Sequence, residues 1–252
     1  LLKNAATLSG REVLLEFKED MLTQDADASI NDLPSNFPDN LNEGIFKEYL
    51  SRSEGTTSAP KVAHYITLLT AIGISLGRSV HLKYGMNLYP NLYCVIFGPS
   101  HDFKTTATER IIHMVSNNVG ASLGEESAQG LLDWMGEGDS FRPKLLYKSE
   151  FNSLQSVSSW QGSTLAPTLM TLYDCPIKYD LKYRTGSKTI FSPTLSILAC
   201  TVDSKYWRHL KTEDISSGFM NRLSFFTGLP GNRIEIPESS DMERLLSAPD
   251  TK

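Results

Sequence analysis

The chain of 252 residues has little cysteine: three residues, at 94, 175 and 200. Their number is odd, their spacing is wide and no C-x-x-C occurs, which argues against a disulfide framework and a zinc ribbon. Five histidines form no H-x-x-x-H pair, so the zinc-hydrolase pattern is missing as well. No apolar run is long enough to span a bilayer. The longest, Tyr65 to Gly77, is interrupted by two Thr, one Ser and two Gly. The start shows no signal-peptide pattern. It reads Leu-Leu-Lys without Met, which leads us to expect a piece of a longer protein and, by default, a cytoplasmic one. An excess of basic residues is also lacking. Lys and Arg number 24 against 29 Asp and Glu, a net charge of −5, so any nucleic-acid contact must come from a local basic patch.

What is present suits a folded protein. Hydrophobic residues make up 40% and aromatics 10%, enough for one sizeable core and too much for wholesale disorder. Residues 1–22 read as a helix, residues 23–42 as a linker rich in Asp, Asn, Ser and Pro, and residues 43–52 as a short helix. Pro60 opens a helix running to about Leu76, apolar on more than one stripe and therefore buried. Val80, Leu82 and Tyr84 alternate with polar residues as in a half-buried strand. Leu92-Tyr-Cys-Val-Ile-Phe97 is a continuous apolar run that suits a central strand. Helices are expected over 105–117, 128–135 and 164–172, before Arg222, and in the tail at 242–246. Strands are expected over 145–147, 177–184, 188–191, 195–201 and 223–227, with a hairpin turn at Thr185-Gly186-Ser187. Strands alternating with helices predict an α/β sheet covered on both faces. We divide the chain into a front segment with linker (1–58), a core (59–230) and a polar tail (231–252).

The main chemical signal is Gly98-Pro-Ser-His-Asp-Phe-Lys104-Thr105, between an expected strand and an expected helix. In a phosphate loop, backbone N–H groups wrap the phosphates, a Lys neutralises their charge and a Ser or Thr binds Mg²⁺. The following helix points its N-terminus at the anion. Gly98, Ser100, Lys104, Thr105 and Thr106 are the candidate nucleotide-binding residues. Lys104 and Thr105 are correctly spaced from Gly98, but Phe103 stands where the pattern has its second glycine. Glycine serves there because it has no Cβ to hold the backbone away from the phosphates.

The later segments appear in a telling order: Ser127-Ala-Gln-Gly-Leu-Leu132, Leu145-Leu-Tyr-Lys-Ser-Glu150-Phe, Leu172-Tyr-Asp174, Ile197-Leu-Ala-Cys-Thr201, and Ser217-Gly-Phe-Met-Asn-Arg222-Leu-Ser-Phe-Phe. Over about 41–227 the chain resembles the P-loop helicase-like ATPases of mobile elements and prophages, domain-of-unknown-function family 3987. These are similar in logic to AAA+ and superfamily 3 helicases. The resemblance implies an AAA+-like P-loop sheet flanked by helices, with an inserted β-hairpin and an N-terminal helical segment. It implies ATP and Mg²⁺, single-stranded DNA, a homo-oligomeric ring and a primase domain in the full-length chain. Glu150 matches the acid that orients the attacking water. Ser149 stands where the Mg²⁺-supporting Asp would be, next to Thr105 as the other metal residue. A hydroxyl supplies no charge, so metal affinity should fall. Thr201 matches a polar sensor of the γ-phosphate, and Arg222 an arginine finger acting on a neighbouring subunit.

Residues Lys178, Lys182, Arg184 and Lys188, with Tyr179 and Tyr183 interleaved, face one acid, Asp180. A basic ribbon with tyrosines can hold phosphates and stack on bases. Residues 178, 182 and 184 share one face of the strand by alternation. The plainer alternative is a solvated edge hairpin, where Lys blocks aggregation. His64 and the tryptophans at 134, 160 and 207 read as packing residues, and Asp174 as a turn cap. His101 could donate to a phosphate or face solvent. Besides a pure protein-interaction scaffold, which leaves the basic hairpin without a role, two functional classes follow. One is an ATPase driving translocation on single-stranded DNA. The other keeps the fold, has lost catalysis through Phe103 and Ser149, and serves as a nucleic-acid-binding or assembly module in a replication or defence protein.

Overall fold

Leu92–Phe97 carries no charge, and such a run is stable only where both strand faces are covered. In the computed structural model it forms β3 (Tyr93–Phe97), buried at every residue. The structure describes residues 41–54, 56–100, 102–115, 119–124, 127–138, 141–158, 162–183, 186–202 and 218–228. The helix expected over 1–22, the linker, the tail helix, His101, Trp160, Arg184 and Trp207 lie outside them.

Ahead of β3 come α1 (Gly44–Ser53), α2 (Lys61–Leu76), β1 (Leu82–Tyr84) and β2 (Met86–Leu88). After it come α3 (Lys104–Glu109), α4 (Ile111–Met114), β4 (Gly120–Ser122), α5 (Ala128–Met135), β5 (Lys144–Lys148), α6 (Phe151–Ser158) and α7 (Leu165–Tyr173). The hairpin β6 (Lys178–Tyr183) and β7 (Gly186–Phe191), then β8 (Leu195–Thr201), a 3-10 turn (Met220–Arg222) and β9 (Ser224–Phe226) complete the described elements. Five strands form one parallel sheet in the order β4–β5–β8–β3–β9. The α/β class with helices on both faces is therefore as expected.

Alternation along the strands builds two cores. Tyr93, Val95, Phe97, Leu146, Ile197 and Ala199 meet α5, α6, α7 and the β6–β7 hairpin on one face. Cys94, Ile96, Leu145, Tyr147, Leu198 and Cys200 meet α2, α3 and α4 on the other. The connection from β3 to β4 crosses the sheet in one direction on the α3–α4 face. The chain returns through β5 to β8 on the opposite face. Right-handed crossovers demand this exchange of faces when the direction of travel reverses. The chain then leaves β8 for β9, on the far side of β3. Adjacent strands β3 and β8 thus send their connections in opposite directions. The carboxyl end of such a pair is the crevice where open α/β sheets bind ligands.

Several local expectations are corrected. The helix expected over 105–117 breaks at Arg110 into α3 and α4. Three threonines crowd its first turn, and Thr108 Oγ1 donates back to Lys104 O at 3.1 Å and Thr105 O at 3.2 Å. Such back-bonding competes with the regular ladder. The strand near Leu82 is not half-buried. It forms a projecting hairpin with β2, leaving Leu82 66% and Tyr84 78% exposed. The helix before Arg222 is only the 3-10 turn among the described residues. β2, β4 and α6 were not foreseen. Phe46 of α1 stacks on Tyr65 of α2 with ring centroids 4.4 Å apart. No helix among the described residues is long and apolar enough to cross a membrane.

Candidate nucleotide site

The loop after β3 emerges at that crevice. Phe103 adopts φ 59°, ψ 16°, the left-handed region, and caps the start of α3. A residue with a Cβ is strained there by about 1–2 kcal/mol. The backbone thus makes the turn for which the motif has glycine, with a phenylalanine in place, and the ring is half exposed. Gly98 is buried, and a Cβ there would run into Asp102 Oδ2. Pro99, Ser100 and Thr106 are exposed.

Lys104 is turned inward. Its side chain is 6% exposed and that of Asp102 1%, with Nζ 3.3 Å from Asp102 Oδ1. Lys104 Nζ also donates to Pro99 O at 2.8 Å, and the Lys104 backbone N–H donates to Asp102 Oδ1 at 3.1 Å. Asp102 Oδ2 is buried with no hydrogen-bond partner. Sequence reasoning missed Asp102. The available signal was an acid two residues before the loop lysine, close enough to compete for it.

Beside the loop lies an open cleft of about 550 Å³, whose lining includes Thr105, Glu109, Tyr147, Ser149, Glu150 and Ser153. Thr105 and Glu109 share it because i and i+4 lie on one helix face. Ser149 and Glu150 reach it because they directly follow the carboxyl end of β5. Hydroxyl and carboxylate oxygens are the donors Mg²⁺ takes, along with several waters. These residues fit that ion, although no group of three or more His, Cys, Asp or Glu forms a metal cluster among the described residues. Thr201 is buried at the end of β8, and its Oγ1 donates to Asn152 Oδ1 at 3.1 Å. Asn152 Nδ2 donates in turn to Glu150 Oε1 at 3.3 Å. The expected base and the expected sensor are therefore joined through Asn152, a link that sequence reading also missed. Beneath the cleft, Tyr147 OH donates to Thr105 O at 3.3 Å and lies 3.1 Å from Thr108 Oγ1. Burial raises its pKa, so it stays a neutral strut. Burial also pushes the Cys200 thiol up to about 11, which makes it an unreactive packing group.

Arg222 lies elsewhere. The pairing of Cys94 with Ser224 places it at the amino-terminal end of β3. The length of a strand, about 3.3 Å per residue, separates it from the loop by roughly 20 Å. Its Nη2 pairs with Asp174 Oδ2 at 2.9 Å, and its Nη1 donates to Gly218 O at 3.2 Å. Asp174 is thus an ion-pair partner for Arg222. In the hairpin, the register pairs Leu181 with Lys188 and Asp180 with Thr189. Lys188 therefore shares the inward face with Leu181, and it lies against Gly136 at the end of α5. There a cation complements the helix carboxyl end. Lys178 is on the outward face, paired with Asp180 at 3.1 Å. Lys182 is paired in register with Ser187, and Tyr183 with Gly186. His64 is buried on α2 and Trp134 packs against the core, both as expected. No protein-family model matches the chain, and no curated protein matches it.

Proposed function

We propose that the chain is a nucleoside-triphosphate-binding module of helicase-like type, hydrolysing ATP to drive single-stranded DNA past the β6–β7 hairpin in a homo-oligomer. The observation that carries this reading is convergence. Thr105, chosen from the phosphate-loop pattern, and Ser149 and Glu150, chosen together from one strand end of the resemblance, line one cleft at the carboxyl edge of the sheet. Lys104 and the turn at Phe103 lie next to it. In this reading Lys104 neutralises phosphate charge, and Glu150, held by Asn152 and Thr201, orients water. Mg²⁺ supplies charge neutralisation when bound, and Thr105 with Ser149 and Glu150 would hold it. Lys178, Lys182, Tyr183 and Arg184 grip the DNA backbone and bases. The place of Arg222, far from its own loop, supports a role toward a neighbouring copy. Such a role would require it to leave Asp174.

A second reading draws on the loop itself. Lys104 is neutralised internally and Ser149 brings no charge, as in a fold that has kept its shape and serves as a nucleic-acid-binding or assembly module. Calorimetric titration of ATP and Mg²⁺, with and without single-stranded DNA, separates the two. Saturable binding that Lys104→Ala abolishes supports the first. Absence of binding in both conditions, by the chain and by its Asp102→Ala variant, rejects it in favour of the second.

A further inference from the structure

We propose that Asp102 is the resident anion of the loop and sets its affinity for polyphosphate. Building on the nucleotide-binding reading above, the proposal concerns which group fills the seat before a ligand does. Asp102 Oδ1 accepts from the Lys104 backbone N–H at 3.1 Å and faces the Lys104 ammonium at 3.3 Å. Those two donors, one backbone and one side chain, are the pair that a phosphate loop offers to a phosphate oxygen. The carboxylate also occupies the space that Gly98 leaves by lacking a Cβ. Its second oxygen has no partner, although it is buried. A charge in that state is stable only because Lys104 is beside it, and the same holds for Lys104. Loop and carboxylate thus form a closed unit, with the ammonium turned toward Pro99 O and Asp102.

A phosphate and the Asp102 carboxylate cannot share these donors. Binding therefore requires Asp102 to leave, and the apparent affinity is reduced by the fraction of loops that are open. Removing the carboxylate removes that competition. Asp102→Ala clears the seat. Asp102→Asn keeps the shape and an oxygen for the Lys104 N–H while removing the charge, so it guards against a variant that fails to fold.

The experiment titrates Mg²⁺–ATP, and separately inorganic triphosphate, into the full chain and both variants at low and at 0.5 M salt. Folding of each variant is checked by its thermal melt. We expect both ligands to bind at least tenfold tighter to the variants, a gain corresponding to a loop open no more than about one-tenth of the time. The gain should persist at high salt, where simple long-range repulsion is screened to a few ångströms. It should disappear when Lys104→Met is added. Equal affinity of folded variants and wild type, or a gain that vanishes in high salt, overturns the proposal and leaves the nucleotide reading standing. Binding by none of them overturns both. A stability cycle tests the geometry without any ligand. Gly98→Ala should cost clearly more in the wild type than in Asp102→Ala, where its Cβ no longer meets Oδ2. Additive costs would overturn the proposed packing.

Discussion

Residue 103 offers a test in which glycine and alanine should reverse their usual order. At an ordinary position inside regular structure, Gly is about 0.5–1 kcal/mol worse than Ala. Phe103 sits at φ 59°, ψ 16°. Both Phe103→Gly and Phe103→Ala remove the ring, so its loss largely cancels between them. Alanine keeps the strain of the left-handed region, about 1–2 kcal/mol. Glycine relieves it but gives back about 0.4–1 kcal/mol through a freer unfolded chain. The difference favours glycine by about 0.5–1 kcal/mol. Against the wild type, Phe103→Gly trades a half-exposed ring, worth about 1 kcal/mol by halving the value for a fully buried one, against relief of a similar size. It should therefore melt within a few degrees of the wild type. Phe103→Ala should melt lower than Phe103→Gly by about 1–4 °C, given about 2–4 °C per kcal/mol at this chain length. Urea midpoints and thermal melts by circular dichroism would read both. An alanine variant as stable as the glycine variant would refute the claim that the loop holds Phe103 in a strained turn.

Asn152→Ala should lower single-turnover ATP hydrolysis by about tenfold to a hundredfold, the scale of a misplaced catalytic group, with ATP affinity unchanged. A parallel loss of affinity would show instead that Asn152 only supports the fold. Burial, and secondarily the Arg110 charge, pushes His64 down to about 3. Its unfolded-state value is about 6.5, so its contribution is complete above that pH and is lost as pH falls toward 3, by up to about 1.4 kcal/mol per unit. His64→Gln should flatten the stability profile between pH 6.5 and 5, above most carboxylate titrations; an unchanged slope in urea melts would refute this. Charge reversal at Lys178 and Lys182 should weaken single-stranded DNA binding and reduce the steepness of its salt dependence by about one to two counter-ions. Fluorescence anisotropy across a salt series measures both effects, and an unaltered slope would remove the hairpin from the interface.

The sequence made some elements readable for physical reasons. β3 and β8 are free of charge because both faces are covered, so their composition announced them. α2 was legible because its apolar residues fill more than one stripe, with Pro60 marking its start. β4 was not, because Gly-Ala-Ser has no pattern and its pairing comes from β5. α6 was hidden by a Ser-rich sequence, and is held by Phe151 and Leu154 in the core. The Lys188 face escaped because a basic stripe was read from one strand alone, and only the pairing with Leu181 turns it inward. Within the candidate site, Lys104 and Thr105 were found by their spacing from Gly98, while Ser149, Glu150 and Thr201 came only from the family resemblance. Asp102 and Asn152 were not found, because their importance lies in which atoms they meet after the chain has turned.

The two departures from the phosphate-loop pattern act on different physical quantities. Phe103 is a matter of backbone conformation, and the turn tolerates it at a cost comparable to one modest core contact. It therefore says little about whether phosphate can bind. The charges matter more. In the pattern expected for such a site, the lysine stands uncompensated until phosphate arrives, and an acid at the strand end supports the metal. Here the strand end carries the neutral Ser149 and the carboxylate lies inside the loop, at Asp102. On the proposed nucleotide reading, the negative charge has moved from beside the metal seat to the phosphate seat, and that exchange would lower attraction for both ligands through one rearrangement. It also predicts an asymmetry: Asp102→Asn should restore phosphate affinity without restoring metal affinity, whereas Ser149→Asp should do the reverse. Titrating triphosphate without Mg²⁺, and then Mg²⁺ at fixed triphosphate, separates the two. If either single change improved both ligands equally, the seats would not be electrostatically distinct, and the division of labour drawn here between loop and strand end would be wrong.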